Sequence, residues 1–212
     1  MLGQNFPFRI MVVEDDAGWF ELMQKACIRA RLECVVVESQ AEAKQSAARA
    51  RHHLISIDQH IPESRENPTM SVAHGIDLTK LFSQQYPMST LTVLTARSEG
   101  ETGLQIALGA GTSHADFWRK SVDGVDRPNA NPPIVSQHGF PAAARKKLDD
   151  VDAPYRRQYF DAAPHVLPAP LASAAANLGT RLKPRTDLRH DASAPLHLFS
   201  FWELTLELTH AS

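Results

Sequence analysis

The chain has 212 residues, a hydrophobic content of 43% and a formal net charge of −2. This hydrophobic content is sufficient for a buried core and excludes a globally disordered protein. The small net charge excludes the strong basic field of a nucleic-acid-binding domain, and the part from Ser121 onward is balanced as well, with ten Lys/Arg and ten Asp/Glu.

The cysteines and the apolar segments predict a soluble cytoplasmic protein. Cys27 and Cys34 lie outside any CxxC pattern, which is typical of reduced thiols that pack inside a cytosolic protein. The N-terminal region has no basic segment followed by an apolar run, and the sequence contains no apolar stretch of 18 residues. We therefore expect neither a signal peptide nor contact with a membrane.

Short apolar segments in the first half of the chain predict five β-strands, at residues 8–13, 34–37, 54–57, 91–94 and 114–118. The segments between them predict helices: one after the capping residue Asp16, one at 41–51 behind a capping box of Ser39 and Glu42, one at 75–82 and one through 104–108. Short apolar strands separated by single helices indicate an α/β fold with a parallel sheet covered on both faces.

The second half has a different composition. Ten of the fourteen prolines lie beyond Ser121, which argues against long regular elements there. The pattern favours a helix at 142–151, a linker or loosely packed arm at 161–195, and either a strand or a helix at 196–210. We predict a domain at 1–122 and a Pro-rich extension of unknown fold at 123–212, with the start of an effector region in a longer protein as one interpretation of the extension.

Polar side chains follow four of the five predicted strands. Glu14 and Asp15 end the first strand, Asp58 the third and Thr95 the fourth, and Lys120 follows the fifth. Ligands of an open parallel sheet bind at the carboxyl ends of its strands, so these groups are expected to meet. Carboxylates 4 Å apart repel by roughly 4 kcal/mol per pair at an effective dielectric of about 20. A hard cation with oxygen ligands, most plausibly Mg²⁺, relieves this repulsion.

Four sequence stretches resemble the signature stretches of bacterial response-regulator receiver (CheY-like) domains, in the same order. They are Val12-Val13-Glu14-Asp15-Asp16, Ile57-Asp58-Gln59-His60-Ile61-Pro62, Leu94-Thr95-Ala96 and Phe117-Trp118-Arg119-Lys120. The resemblance covers residues 7–121. It implies a flavodoxin-like (βα)5 doubly wound parallel sheet with strand order 2-1-3-4-5.

The resemblance also implies a role for each site residue. Asp58 accepts a phosphoryl group from a histidine kinase or a histidine phosphotransfer protein. Mg²⁺ is held by Glu14, Asp15, Asp58 and the carbonyl of His60. Thr95 is the switch hydroxyl, Lys120 binds the phosphoryl group, and Phe117 is the aromatic side chain whose rotamer reports phosphorylation. The implied class is a switch that controls a partner or a C-terminal output, and it is not an enzyme beyond slow self-dephosphorylation.

The chain departs from the receiver pattern in three places. Ser121 follows Lys120 where the family usually has a proline, often in a cis peptide. The segment 63–71 is an insertion of about nine residues beside the predicted phosphorylation site. No helix follows Lys120 directly, so the last helix of the family, which often forms a homodimer face, is either delayed to 142–151 or missing.

These departures keep two other functions open. One is a degenerate receiver that acts as an interaction module without being phosphorylated. The other is a phosphohydrolase with Asp58 as its nucleophile. It is disfavoured because the haloacid-dehalogenase type needs a second aspartate two positions later, where this chain has His60. Residues 122–212 contain neither a helix-turn-helix pattern nor a basic face, so direct binding of nucleic acid is not expected.

Overall fold

The structure is a computed structural model, and it describes residues 8–86, 89–96 and 115–150 together with two strands further along the chain. The predicted helix at 104–108 lies outside these residues. No helix within the described ranges is long and apolar enough to cross a membrane.

A six-stranded parallel sheet forms the centre of the described part. Its strands are β1 (Arg9–Val13), β2 (Glu33–Val37), β3 (Leu54–Ile57), β6 (Thr90–Thr95), β7 (Ala115–Lys120) and β8 (Ile134–Val135). They lie in the order β2-β1-β3-β6-β7-β8, and every neighbouring pair is parallel. The first five strands of this order reproduce the predicted order 2-1-3-4-5, which confirms the fold class. The short strand β8 is an addition that the sequence did not predict.

Four helices have defined bounds in the described ranges: α1 (Ala17–Arg29), α2 (Gln40–Arg49), α3 (Val72–Gln85) and α4 (Phe140–Asp150). The predicted caps of the first two are confirmed. The Asp16 side chain accepts a hydrogen bond from the backbone N–H of Trp19, and Ser39 Oγ accepts one from the N–H of Glu42. These caps fix the start of each helix just beyond the carboxyl end of a strand.

The sheet is covered on both faces, as its apolar strands predict. On one face, side chains of the central strands such as Met11 and Ile57 pack with Ala43 and Ala47 of α2 and with Phe82 of α3. On the other face, residues such as Ile10 and Val12 pack with side chains of α1 and α4, which include Trp19, Met23, Phe140 and Leu148. Alternation along each strand therefore divides the core into two layers.

The last helix is delayed, as one of the two sequence-based alternatives states. Residues 121–133 contain no helix; β8 follows, and α4 begins at Phe140. Phe140, Ala144 and Leu148 belong to the same buried cluster as β1 and α1. The predicted domain boundary at residue 122 stays a prediction, but residues up to Leu148 share a core with the sheet.

Two small antiparallel ladders complete the described elements. In the insertion, β4 (Ile61–Pro62) pairs with β5 (Met70–Ser71). Further along, β9 (Thr180–Pro184) pairs with β10 (Trp202–Leu206). A strand at 202–206 resolves the choice between strand and helix for this part of the C-terminal apolar segment, while β9 is a regular element within the stretch predicted to be a linker.

Candidate phosphorylation site

Strand ends bring four of the predicted site residues to one edge of the sheet. Glu14 follows β1, Asp58 follows β3, Thr95 is the last residue of β6 and Lys120 is the last residue of β7. All four are buried; Glu14 and Thr95 each expose only 1% of their surface. Because parallel strands place their carboxyl ends at the same edge, sequence-distant polar groups meet here within an apolar sheet.

Three of these side chains form an acidic cluster. Ligand oxygens of Glu14, Asp15 and Asp58 all lie within 4.8 Å of one another, and Asp15 is the most exposed of the three. Carboxylate oxygens at such separations are the donor set that a small hard cation requires. The residues present therefore fit Mg²⁺, with Glu14, Asp15 and Asp58 as its protein ligands.

Lys120 connects two of the three carboxylates. Its Nζ lies 2.5 Å from Glu14 Oε2 and 2.6 Å from Asp58 Oδ2, and its side chain is only 5% exposed. Burial by itself would lower the pKa of Lys120, but the charges of Asp58 and Glu14 outweigh burial and hold the pKa above its usual value. The lysine is therefore a fully charged, buried partner of the acidic cluster.

Glu14 and Asp15 have raised pKa values for a shared reason. Burial raises the pKa of Glu14 to about 7, with the charge of Asp58 adding to the effect and that of Lys120 opposing it. Burial also raises the pKa of Asp15, and Asp58 contributes in the same direction. A single lysine thus leaves the cluster short of positive charge, which a divalent cation can supply.

The Asp58 carboxylate is held by backbone as well as by lysine. Its Oδ1 accepts a hydrogen bond of 3.2 Å from the backbone N–H of His60, while the N–H of Asp58 donates to the carbonyl of Val13 at 2.9 Å. Gly75 in α3 packs against the same turn: a Cβ there would lie 2.6 Å from the carbonyl oxygens of both Asp58 and Gln59. Only glycine lets α3 approach the backbone of the acceptor so closely.

The substitution of Ser121 for proline has a structural explanation. The backbone N–H of Ser121 donates to the carbonyl of Val135 at 2.9 Å, and this bond continues the pairing of β7 with β8. Proline has no N–H and would lose the bond. The described part of the chain has one cis peptide, at Asn131–Pro132, so the Lys120–Ser121 bond is trans. The chain takes a different path after Lys120, yet Lys120 still reaches Asp58.

The insertion contacts the start of α2. The carbonyl of Glu63 accepts a hydrogen bond of 2.9 Å from the N–H of Ala41, and Arg65 Nε lies 2.5 Å from Glu42 Oε1. The ladder of β4 and β5 closes the insertion at its base. The insertion is therefore a hairpin attached to a neighbouring helix.

The remaining predicted site residues have defined positions, while their roles stay predictions. Thr95 is buried at the end of β6, next to Arg119 of β7 in the register of the sheet. Phe117 is 7% exposed and packs in the cluster beneath α2 and α3. The backbone N–H of His60 points at Asp58, and its side chain is half-buried.

Two residues at the site were not singled out from the sequence. Lys120 Nζ lies 5.3 Å from the centre of the Trp19 ring, which is a cation–π distance. Trp19 is spaced four residues from Met23 on the buried face of α1, so periodicity could have found it as a core residue. Gly75 was predicted as the first residue of a helix at 75–82, whereas α3 begins at Val72 and encloses it, so the sequence carried no signal for its close approach. The periodicity of α1 does not identify the partner of Trp19, because that partner lies on a distant segment.

Comparisons with known proteins agree with this architecture. A structure of an uncharacterized protein from Neptuniibacter caesariensis is similar at a TM-score of 0.52 and 14% identity, covering 73% of this chain and 96% of that one. A signal receiver domain of an HD domain-containing protein from Pseudomonas fluorescens Pf-5 has a TM-score of 0.48 and 14% identity, covering 73% of this chain and 93% of that one. A CheY-like response regulator receiver domain protein from Methanospirillum hungatei has a TM-score of 0.45 and 14% identity, covering 72% of this chain and 98% of that one.

At these identities the likeness shows the fold alone, and only the first score is above 0.5. No family model and no curated protein matches the chain. The strand order 2-1-3-4-5 is that of the flavodoxin-like fold, which flavodoxin and CheY share. The chain has this fold, with a sixth strand added at the edge of the sheet.

Proposed function

We propose that this chain is the receiver of a two-component phosphorelay and that Asp58 is its phosphoacceptor. The observation that carries the proposal is the buried ammonium of Lys120, 2.6 Å from Asp58 Oδ2 and 2.5 Å from Glu14 Oε2, beside three clustered carboxylates. A structural ion pair needs one acid and one base. A surplus of acids around one lysine fits a site that receives a cation and an anionic group.

The transfer follows from these positions. An oxygen of the Asp58 carboxylate attacks phosphorus, the bond from phosphorus to its donor breaks, and the donor leaves with the bonding electron pair. For a phosphohistidine donor this is a P–N bond, and for acetyl phosphate it is a P–O bond. Lys120 then contacts the phosphoryl oxygens. Glu14, Asp15, Asp58 and the carbonyl of His60 would hold Mg²⁺, which would neutralise part of the added negative charge.

The same proposal assigns the switch and the partners. Thr95, buried at the end of β6, is the hydroxyl that turns toward the phosphoryl group, and Phe117 changes its packing in response. The phosphodonor is a histidine kinase or a histidine phosphotransfer protein, and the protein acts in the cytoplasm. Its output is a change of surface rather than a chemical product, so the chain is not an enzyme beyond slow self-dephosphorylation.

Intact mass after incubation with acetyl phosphate and Mg²⁺ tests the proposal. We expect the mass of one phosphoryl group to be gained by the wild type and to be absent in Asp58→Asn and in the presence of a chelator. Asp16→Asn is the matched control: Asp16 also follows β1, but it caps α1, and asparagine is an equally good cap. An unmodified wild type that is folded and saturated with Mg²⁺ contradicts the proposal.

One observation favours a second candidate, the interaction module that is never phosphorylated. Both oxygens of Asp58 already have partners, His60 N–H and Lys120 Nζ, and the residue is only 8% exposed. In this candidate the ion pairs are purely structural. Neither acetyl phosphate nor beryllofluoride with Mg²⁺ then modifies or perturbs Asp58, while the wild type remains folded. Sustained turnover of small phosphomonoesters would instead support a phosphohydrolase.

A further inference from the structure

An aromatic ring lies beside the Lys120 ammonium, in addition to its two ion-pair partners. A lysine ammonium has three N–H donors. One is directed at Glu14, one at Asp58, and the Trp19 ring centre lies 5.3 Å from Nζ. Trp19 is itself only 7% exposed, so its ring shields the ammonium from solvent on that side.

Trp19 is fixed in place by the segment that supplies the acids. Its backbone N–H donates to the Asp16 side chain at 3.2 Å and to the Asp16 carbonyl at 2.9 Å. Asp16 directly follows Glu14 and Asp15. One tripeptide therefore contributes two carboxylates to the cluster and, through the cap of α1, sets the position of the ring that faces the lysine.

The end of the Lys120 side chain is held by other side chains, which are its ion-pair partners Glu14 and Asp58 and the neighbouring Trp19 ring. A lysine side chain is a flexible four-carbon stem with a point charge, and the loss of its rotamer freedom opposes any single position. After Lys120 the chain continues into a trans peptide and the β8 pairing, in place of the usual lysine–proline step. The strand fixes the Lys120 backbone, but it does not fix the end of the side chain.

We propose that Trp19 is a positioning residue that holds the Lys120 ammonium over its ring, between Glu14 and Asp58, and thereby sets the rate of phosphoryl transfer to Asp58. The inference rests on the proposed function for its effect on rate. Its geometric part, the contact of ring and ammonium, stands independently. A desolvated cation–π contact with tryptophan is stronger than one with phenylalanine, and leucine offers none.

The geometric part is tested by NMR of the full chain labelled with ¹³C-lysine. The ε-methylene signal of Lys120, assigned by its loss in Lys120→Met, is expected upfield of the other lysines because of the ring current of Trp19. It should return to the ordinary lysine position in Trp19→Leu. An unshifted signal in the wild type, or an unchanged one in Trp19→Leu, overturns the proposal whatever the phosphorylation assay shows.

The functional part is tested by the rate of phosphorylation with acetyl phosphate and Mg²⁺ in Trp19→Phe and Trp19→Leu. We expect a decrease of about threefold and about tenfold respectively. Phe140→Leu is the control, because Phe140 is buried in the same cluster as Trp19 but is not part of the site. It should lose stability while retaining the rate.

Each outcome has a separate meaning. Equal rates in Trp19→Phe and Trp19→Leu, or a matching decrease in Phe140→Leu, would indicate ordinary packing and overturn the positioning role. If Trp19→Leu does not fold, Trp19→Phe carries the test, since it keeps an aromatic ring of similar bulk. A wild type that takes up no phosphoryl group refutes the proposed function, while the NMR result still decides the contact.

Discussion

The acidic side and the lysine side of the site are built in different ways. On the acidic side, Glu14 and Asp58 follow β1 and β3, and local backbone groups hold their carboxylates: the Asp16 N–H donates to Glu14 and the His60 N–H donates to Asp58. On the lysine side, Lys120 depends on β8, fourteen residues later in the chain, and on Trp19 of α1. The comparison teaches that local backbone contacts hold the acids in place, whereas contacts with distant segments hold the base in place.

The largest loss of stability is expected when Lys120, which links the two sides, is replaced. Lys120→Met leaves Glu14 and Asp58 buried without their cation, so we expect the free energy of unfolding to decrease by about 3–5 kcal/mol in the presence of a chelator. Urea unfolding at pH 7.5 measures it. Lys147→Met, which breaks the more exposed ion pair with Asp116, should cost less than about 1 kcal/mol. Equal losses of stability in the two variants would mean that the buried ion pairs stabilise the protein no more than the exposed one.

A change of pH, compared between the wild type and Glu14→Gln, tests the acidic side. Glu14 has a pKa of about 7 in the folded protein and near 4.5 when unfolded. A raised pKa stabilises the fold at low pH, and the contribution is lost as the pH rises through 7. Without divalent cations, the free energy of unfolding should therefore be about 2 kcal/mol lower at pH 8 than at pH 5.5.

Two controls define that pH effect. Glu14→Gln should remove most of the difference, because glutamine does not titrate. Added Mg²⁺ should stabilise the wild type more at pH 8 than at pH 5.5, since the cation competes with the proton for the same carboxylates. A wild type whose stability is independent of pH over this range would contradict the raised pKa.

A smaller effect is expected for the backbone that supports Asp58. Gly75→Ala places a methyl group 2.6 Å from the carbonyl oxygens of Asp58 and Gln59, so α3 must move; we expect a loss of about 1–2 kcal/mol. Gly18→Ala in α1 is the control, since its nearest neighbour is the Asp16 side chain at 3.2 Å and alanine favours helix. Thermal unfolding of both variants checks the difference.

The smallest effect concerns the lysine side. Ser121→Pro removes the N–H that donates to Val135 and should cost about 0.5–1.5 kcal/mol. Ser121→Ala retains that bond and loses only the hydroxyl contacts with Asp123 and Val125, so its cost should be about half. If proline were tolerated better than alanine, β8 would not be the reason for serine at this position.

The same comparison explains how much could be predicted from the sequence. Strand ends, caps and the predicted site residues Glu14, Asp15, Asp58 and Lys120 follow from local patterns, and the structure brings these four together. Strand β8 did not follow, because two residues, Ile134 and Val135, are too few to give a periodic signal. Their pairing partner lies in another part of the chain, and only the assembled sheet selects it.

Trp19 illustrates a second reason why part of the site could not be predicted from the sequence. Helical spacing with Met23 places it on the buried face of α1, which is a statement about its own helix. That its ring lies beside the Lys120 ammonium depends on how α1 packs against the sheet, and no local pattern encodes this packing. Contacts between the layers of a fold are therefore the part of a site that is hardest to predict from sequence patterns.

The attachment of the insertion to α2 has a consequence for local opening of the protein. The first N–H groups of a helix have no partner within it, and for Ala41 the partner is the carbonyl of Glu63. The start of α2 therefore cannot fray until the hairpin detaches, so the two segments open as one cooperative unit. Hydrogen exchange at the Ala41 amide would accordingly report how often the loop that follows Asp58 lifts from its neighbour.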